Sequence, residues 1–193
     1  MTVPKTVRSI HGATLENALQ WTFQTPPVSV RKAWPTSGTY KLEQAIFIGF
    51  DQAIDAQRML EYLVVSTGAG KRLPLELIET DRVEDTTIKG LIAKSKPGTF
   101  VVVRTKKPLP YDSVISYQVK KGAPSAEGPR GSKISFRKQF RTYGAMEFTK
   151  SECGWRNCEP RDTWRISFSN PIDSETFDPD SIEIEPPVPG LHK

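Results

Sequence analysis

Short apolar runs separated by Gly, Pro and polar turn residues set the pattern of this chain. Ala45 to Phe50 alternates Ile46, Ile48 and Phe50 against Phe47 and Gly49, which predicts a strand buried on at least one face. Val28 to Ala33, closed by Pro35 and Gly38, reads the same way. So do Tyr62 to Ser66, Leu73 to Ile78, Thr87 to Ala93, Thr99 to Arg104, Val114 to Val119 and Ile134 to Arg141. Together they predict about eight strands, the number a two-sheet sandwich requires. The expected fold is all-β, an immunoglobulin-like antiparallel β-sandwich. Helix is expected only at Asp55 to Leu60, where Asp55 can cap a single turn. The 16 Pro and 13 Gly leave little uninterrupted room for more.

Compared with itself, the sequence repeats over a long period. Ile48 to Asp55 recurs as Ile166 to Asp173, 118 positions on. Trp21 to Thr25 recurs as Lys138 to Thr142, with Phe23 and Thr25 each moving 117 positions. His11-Gly12-Ala13 parallels Glu127-Gly128-Pro129 at 116. In both copies an aromatic ends a strand, and a short polar link leads to Ile54-Asp55 or Ile172-Asp173. The expected organisation is the last strand or strands of one unit over 1–25, a complete unit over 26–144, and the front of a third over 145–193. Phe and Ile of the repeated motif are expected to point inward, and the Asp to accept N–H groups of the next turn. Calcium held by Asp51, Asp55 and a neighbour is the alternative, although the dense Asp-x-Asp ligand pattern is missing.

Charge changes this picture little. The 27 Lys+Arg against 22 Asp+Glu give a net charge of +5. The basic residues at Lys120, Lys121, Arg130, Lys133, Arg137, Lys138 and Arg141 come without any nucleic-acid-binding motif and read as a solvated strand face. No nucleic-acid partner and no membrane span are expected. The first 18 residues lack the apolar run of a signal peptide, so an exported protein would carry its signal upstream of this sequence.

Candidate chemistry is thin. Cys153 and Cys158 bracket Gly154-Trp155-Arg156-Asn157, a spacing that a disulfide bridges if the backbone turns back; free thiols and a metal site remain open. The histidines, His11 and His192, stand near the two ends and in the partial units, where a dependable Ser-His triad is not expected. Thr67 to Arg72 mimics a phosphate loop but lacks its first Gly and has Arg72 where magnesium needs Ser or Thr, so a hairpin turn is expected. No catalytic residue, cofactor or metal ligand is assigned, and the chain is expected not to be an enzyme. The Gly/Pro-rich loop from Gly122 to Arg130 either carries function or joins two strands.

Four motifs occur in an order that resembles the N-terminal half of the bacterial α2-macroglobulin family: Trp21 to Pro27, Phe50 to Asp55, Pro108 to Pro110 and Glu127 to Arg130. Cys153, Cys158-Glu159-Pro160, Trp164 to Asp173 and Pro186 to Gly190 look like the opening of the next macroglobulin-type domain. The resemblance implies a periplasmic or secreted protease trap, with neighbouring macroglobulin-type domains of the parent and target proteases as partners. The resemblance also implies, as in many members of the family, capture of the protease through a Cys-x-Glu-Gln thioester. Here Lys41 stands where that cysteine belongs, so Glu43 and Gln44 are expected as surface residues leading into a strand. This segment would be framework, with neither thioester nor identifiable bait region. The rival expectation is a set of Ig-like spacer domains of a bacterial surface adhesin or other cell-envelope protein. A carbohydrate-binding sandwich is a third, but Trp21, Trp34, Trp155 and Trp164 do not cluster in the sequence.

Overall fold

A computed structural model describes residues 1–153 and 162–183. The chain opens with a small two-stranded sheet, β1 (Thr2–Val3) and β2 (Leu19–Gln20). Nine strands then build two facing sheets: β3 (Val30–Trp34), β4 (Thr39–Tyr40), β5 (Ile46–Phe50), β6 (Leu63–Thr67), β7 (Arg72–Leu73), β8 (Leu75–Leu77), β9 (Phe100–Thr105), β10 (Val114–Val119) and β11 (Phe136–Thr142). A final hairpin pairs β12 (Phe148–Cys153) with β13 (Trp164–Phe168). Two helices interrupt the strands, α1 (Ala56–Leu60) and α2 (Thr86–Ala93).

One sheet runs β3-β5-β9-β8 and the other β4-β11-β10-β6-β7. With the strands lettered in immunoglobulin fashion, the first is A-B-E-D and the second contains G-F-C, the arrangement of an Ig-like sandwich, with one added strand at each edge. All pairings are antiparallel except the short edge contact of β4 with β11. Pro74 explains the change of sheet between β7 and β8: it has no N–H for a ladder, so the run expected as one strand from Leu73 to Ile78 breaks there and crosses over.

Strand alternation fills the space between the sheets. Ile46, Ile48, Phe50, Val101 and Val103 meet Val65, Ile115, Tyr117, Val119 and Phe140, all buried. The Tyr117 hydroxyl donates to the Pro35 carbonyl at 2.5 Å, so its ring can lie in the core with its polar end satisfied. Burial raises its pKa far above the usual phenol range, with a smaller contribution from Tyr40.

The outer face of the first sheet is also buried, which corrects one expectation. Thr87 to Ala93 forms a helix and not a strand. Asp85 caps α2 by accepting the N–H groups of Thr87 and Ile88 at 2.9 and 3.1 Å. Ile88, Leu91 and Ile92, spaced three and four apart, then cover Phe47 and Val102. Gln44 is a second correction: it is buried, and its Nε2 donates to the Asp85 carboxylate at 2.9 Å, whereas Glu43 is exposed as expected.

Burial alone would raise the Asp85 carboxyl, but the bonds from Gln44, Ile88 and Thr87 outweigh it and hold it below the ordinary aspartate range. Trp34 contributes to this although its indole N–H has no partner of hydrogen-bond geometry. A carboxylate whose folded pKa is depressed contributes stability above the unfolded value of about 4, and that contribution is lost as pH falls through the folded value. Acid titration of the wild type is therefore expected to destabilise the α2 side of the sandwich below about pH 4. Asp85→Asn should flatten that dependence in urea melts run from pH 7 to pH 3, and an unchanged slope would count against this assignment.

Candidate functional site: two joints built alike

The repeat of Ile48–Asp55 at Ile166–Asp173 is a repeat of backbone register, whereas Trp21–Thr25, matched in sequence to Lys138–Thr142 of β11, forms no strand. In the sandwich, β3 pairs with β5 through Val30 and Phe50, slips by one residue, then continues through Lys32 and Gly49 and through Ala33 and Ile48. In the last hairpin, Phe148 pairs with Phe168, the register slips at the same place, and Lys150 with Ser167 and Ser151 with Ile166 follow. Every partner lies 118 positions from its counterpart. A bulge bends its strand locally and is a designed feature of a fold, so its recurrence at the same position marks the same element built twice.

The stretches on either side match as well. Asp51 N–H donates to Ser29 O at 3.1 Å, and Ser169 N–H to Glu147 O at 2.8 Å. The Ser29 N–H and hydroxyl both donate to the Asp51 carboxylate, while in the second copy Glu147 N–H donates to the Ser169 hydroxyl. Asp55 accepts the N–H groups of Gln57 and Arg58 and opens α1, and Asp173 accepts the Glu175 N–H and the Thr176 hydroxyl. Met59 N–H then reaches Asp55 O at 2.8 Å, as Phe177 N–H reaches Asp173 O at 3.0 Å. The repeated Asp is thus a turn cap in both copies. Asp51 and Asp55 commit their carboxylates to different stretches of backbone, and among the described residues no cluster of three His, Cys, Asp or Glu gathers for a metal. Burial would raise Asp51, but Ser29, its own N–H and Arg31 bring it below the usual range.

Between these elements lie the residues that lead into each copy. Gln52, buried, turns its amide back and donates from Nε2 to the Pro26 carbonyl at 2.8 Å. Asn170 does the same to the Gly144 carbonyl at 3.0 Å. Donor and acceptor both move by 118 positions.

The first joint carries a further fastening. The loop from Gly122 to Arg130 lies across it as a strap. Ser125 donates its hydroxyl to Gln52 Oε1 at 2.7 Å, Glu127 Oε1 accepts the Ala53 N–H at 2.7 Å, and Ala126 N–H reaches Ala53 O at 2.8 Å. Gly128 rests against Thr25 so closely that a Cβ there would stand 2.6 Å from the Thr25 hydroxyl. Sequence spacing left this loop undecided between function and connection, because nothing local tells that residues 125–127 meet residues 52–53.

At the second joint a cavity of about 420 Å³ opens beside Asp112, Arg141, Gly144, Glu147 and Asn170. The Arg141 guanidinium donates to Asp112 from two nitrogens at 3.0 and 2.9 Å, one solvated ion pair among the basic residues of β11. Tyr143 is still part of the sandwich: its N–H donates to Tyr40 O at 3.0 Å and its carbonyl accepts the Asp112 N–H at 3.1 Å. Thr67 to Arg72 is the hairpin turn expected, with Thr67 N–H on Lys71 O and Gly70 in the left-handed region at φ 83°. Cys153 ends β12; Cys158 lies outside the described residues, as does any disulfide between the two.

No family model matches the chain. A stretch of 158 residues, 79% of this chain, is 28% identical to circularly permutated Ras protein 2 of Dictyostelium discoideum, and spans only 4% of that protein. Among solved structures, the N-terminal part of the bacterial S-layer protein SbsC aligns over 67% of this chain and 26% of its own, at 10% identity and a TM-score of 0.39. The LD transpeptidase LdtMt1 in complex with imipenem aligns over 64% of this chain and 43% of its own, at 12% identity and a TM-score of 0.38. At these values the comparisons assign neither a family nor an activity, and the fold rests on the strand order itself.

Proposed function

We propose that this chain is a structural spacer segment, a run of Ig-like units in a larger cell-envelope or cell-surface protein. The observation that carries the reading is the joint built twice, with strand register, bulge, turn cap and amide clamp all repeated 118 positions apart. Units that recur with their connections suit a protein whose task is to hold neighbours at set distances. The reading is non-catalytic: the repeated Asp and amide groups are used to fasten backbone. Among the described residues no helix is long and apolar enough to cross a membrane.

Within this reading, the framework of an α2-macroglobulin-like protease trap is the more specific form. It is supported by the order of motifs from Trp21 to Pro27 through Glu127 to Arg130 and on to Trp164 to Asp173. The parent protein separates the two forms. Incubated with a protease, a trap should be cut once, change shape, and leave the protease active on small peptides but shielded from large substrates. A parent that is merely degraded, and that lacks Cys-x-Glu-Gln in its translated locus, would leave the spacer reading alone. An oxidising compartment also predicts that Cys153 and Cys158 pair. Under denaturing conditions the oxidised protein should then take up no alkylating reagent until reduced, and two labels before reduction would exclude the disulfide.

A further inference from the structure

The two amide clamps do more than repeat. At the second joint, both backbone groups of Tyr143 are bonded to the sandwich, and the very next carbonyl, that of Gly144, is taken by Asn170 of the hairpin. Further along, the Ala145 carbonyl accepts the Ser169 hydroxyl at 3.3 Å, and Glu147 bonds Ser169 through both its N–H and its carbonyl, so the connection is fastened on either side of Met146. Bending between domains needs loop residues that can absorb changes in φ and ψ. Here Gly144 has the widest such freedom among residues 143–147, and it is hemmed in on one side, since a Cβ there would stand 3.3 Å from that of Asp112. At the first joint only the last step is held: the ring of Pro26 restricts its φ and Gln52 takes its carbonyl, while Thr22 to Gln24 before it are exposed and make no hydrogen bond among the described residues.

The geometry points to Gln52 and Asn170 as joint locks, positioning residues that fix the backbone entering each copy and, at the second joint, turn the connection from a hinge into a fixed elbow. The two residue types fit the task. A carboxamide keeps an N–H donor at any physiological pH, so the lock does not respond to acidity as a carboxylate or imidazole would. Its other end stays available, and in the first joint Gln52 Oε1 uses it to bind Ser125 of the strap. In the second, Asn170 Oδ1 lies 3.1 Å from the Ser169 hydroxyl. A side chain that holds the connecting backbone on one edge and a neighbouring hydroxyl on the other fixes both the position and the rotation of the connection. This inference rests on the spacer reading for its biological sense, but its test does not.

The test is a distance distribution measured by pulsed electron resonance on the full chain. Spin labels would be attached at exposed Lys89 of α2 and Glu175 beside the second joint, through ketone-bearing residues that leave the cysteines alone. A second pair, at Lys89 and exposed Gln24, reports on the first joint, where the chain enters the sandwich. The wild type should give one narrow distribution for each pair. Asn170→Ala and Asn170→Asp, neither of which can donate to Gly144 O, should broaden the Lys89–Glu175 distribution at least twofold and leave the other pair's unchanged. Gln52→Ala should do the reverse. Amide exchange over β5, β9 and β10 checks that the sandwich itself is intact. Narrow distributions in both alanine variants, with the sandwich folded, would overturn the lock, whatever the parent protein turns out to do.

Discussion

Phe47→Ala is expected to lower the stability of the sandwich by about 3–5 kcal/mol, as truncation of a fully buried aromatic does. The Phe47 side chain is fully buried, stacks on Phe100 at a ring-centroid distance of 5.5 Å, and faces Val83, Ile88 and Val102. The loss should fall first on α2. That helix has eight residues with Thr86, Thr87 and Gly90 among them, too short and too poor in intrinsic propensity to persist without the surface it covers. Urea unfolding should show a lower midpoint, and hydrogen exchange should show Lys89 to Ala93 losing protection before β5 and β9. The second copy supplies the control. Arg165 occupies the position equivalent to Phe47 and is exposed, so Arg165→Ala should change stability by less than about 0.5 kcal/mol. A loss below about 1 kcal/mol for Phe47→Ala would mean that α2 is held by its cap and not by this ring.

That contrast also marks how far the sequence could be read. Alternation of Ile46, Ile48 and Phe50 is a local signal with period two, and it placed β5 correctly together with the motif that recurs in β13. The Asp caps were legible too, because a cap and its N–H partners are two or three residues apart. Thr87 to Ala93 misled because a run of Thr and Ile has the composition of a strand. The signals for helix were there, Asp85 as cap and Ile88, Leu91 and Ile92 at helical spacing, but the Gly/Pro-rich composition argued against them. Gln44 misled for a different reason. Its burial is decided by Asp85, 41 positions away, and no pattern around residue 44 reports that. The joints lie in the same class. The 118-residue offset was visible from Phe50 and Phe168, yet that Gln52 and Asn170 turn back to Pro26 and Gly144 follows only once β3 and β5 are paired.

Gly131→Ala tests the strap at its base, with an expected cost of about 1–3 kcal/mol. The base is a narrow backbone ladder: Gly122 N–H donates to Ser132 O and Ser132 N–H to Ala123 O, each at 2.9 Å, and the Ser132 hydroxyl accepts the Ala123 N–H at 3.1 Å. A Cβ on Gly131 would stand 2.6 Å from the Gly122 carbonyl oxygen and 2.8 Å from its carbon. Both are backbone atoms held by the ladder, so the methyl group can be admitted only by opening it. Ser125 and Glu127 would then lose their places, and the amides of Ala53 and Ala126 should exchange faster. The Gln52 bond to Pro26 does not pass through the strap, so the first joint should loosen less than in Gln52→Ala. Gly90→Ala is the matching control, because nothing lies within 4 Å of a Cβ there. In mid-helix the change should stabilise by about 0.5–1 kcal/mol. If Gly131→Ala melts with the wild type while Ala53 keeps its protection, the strap is held by its tip at Glu127 and Gly128 and not by its base.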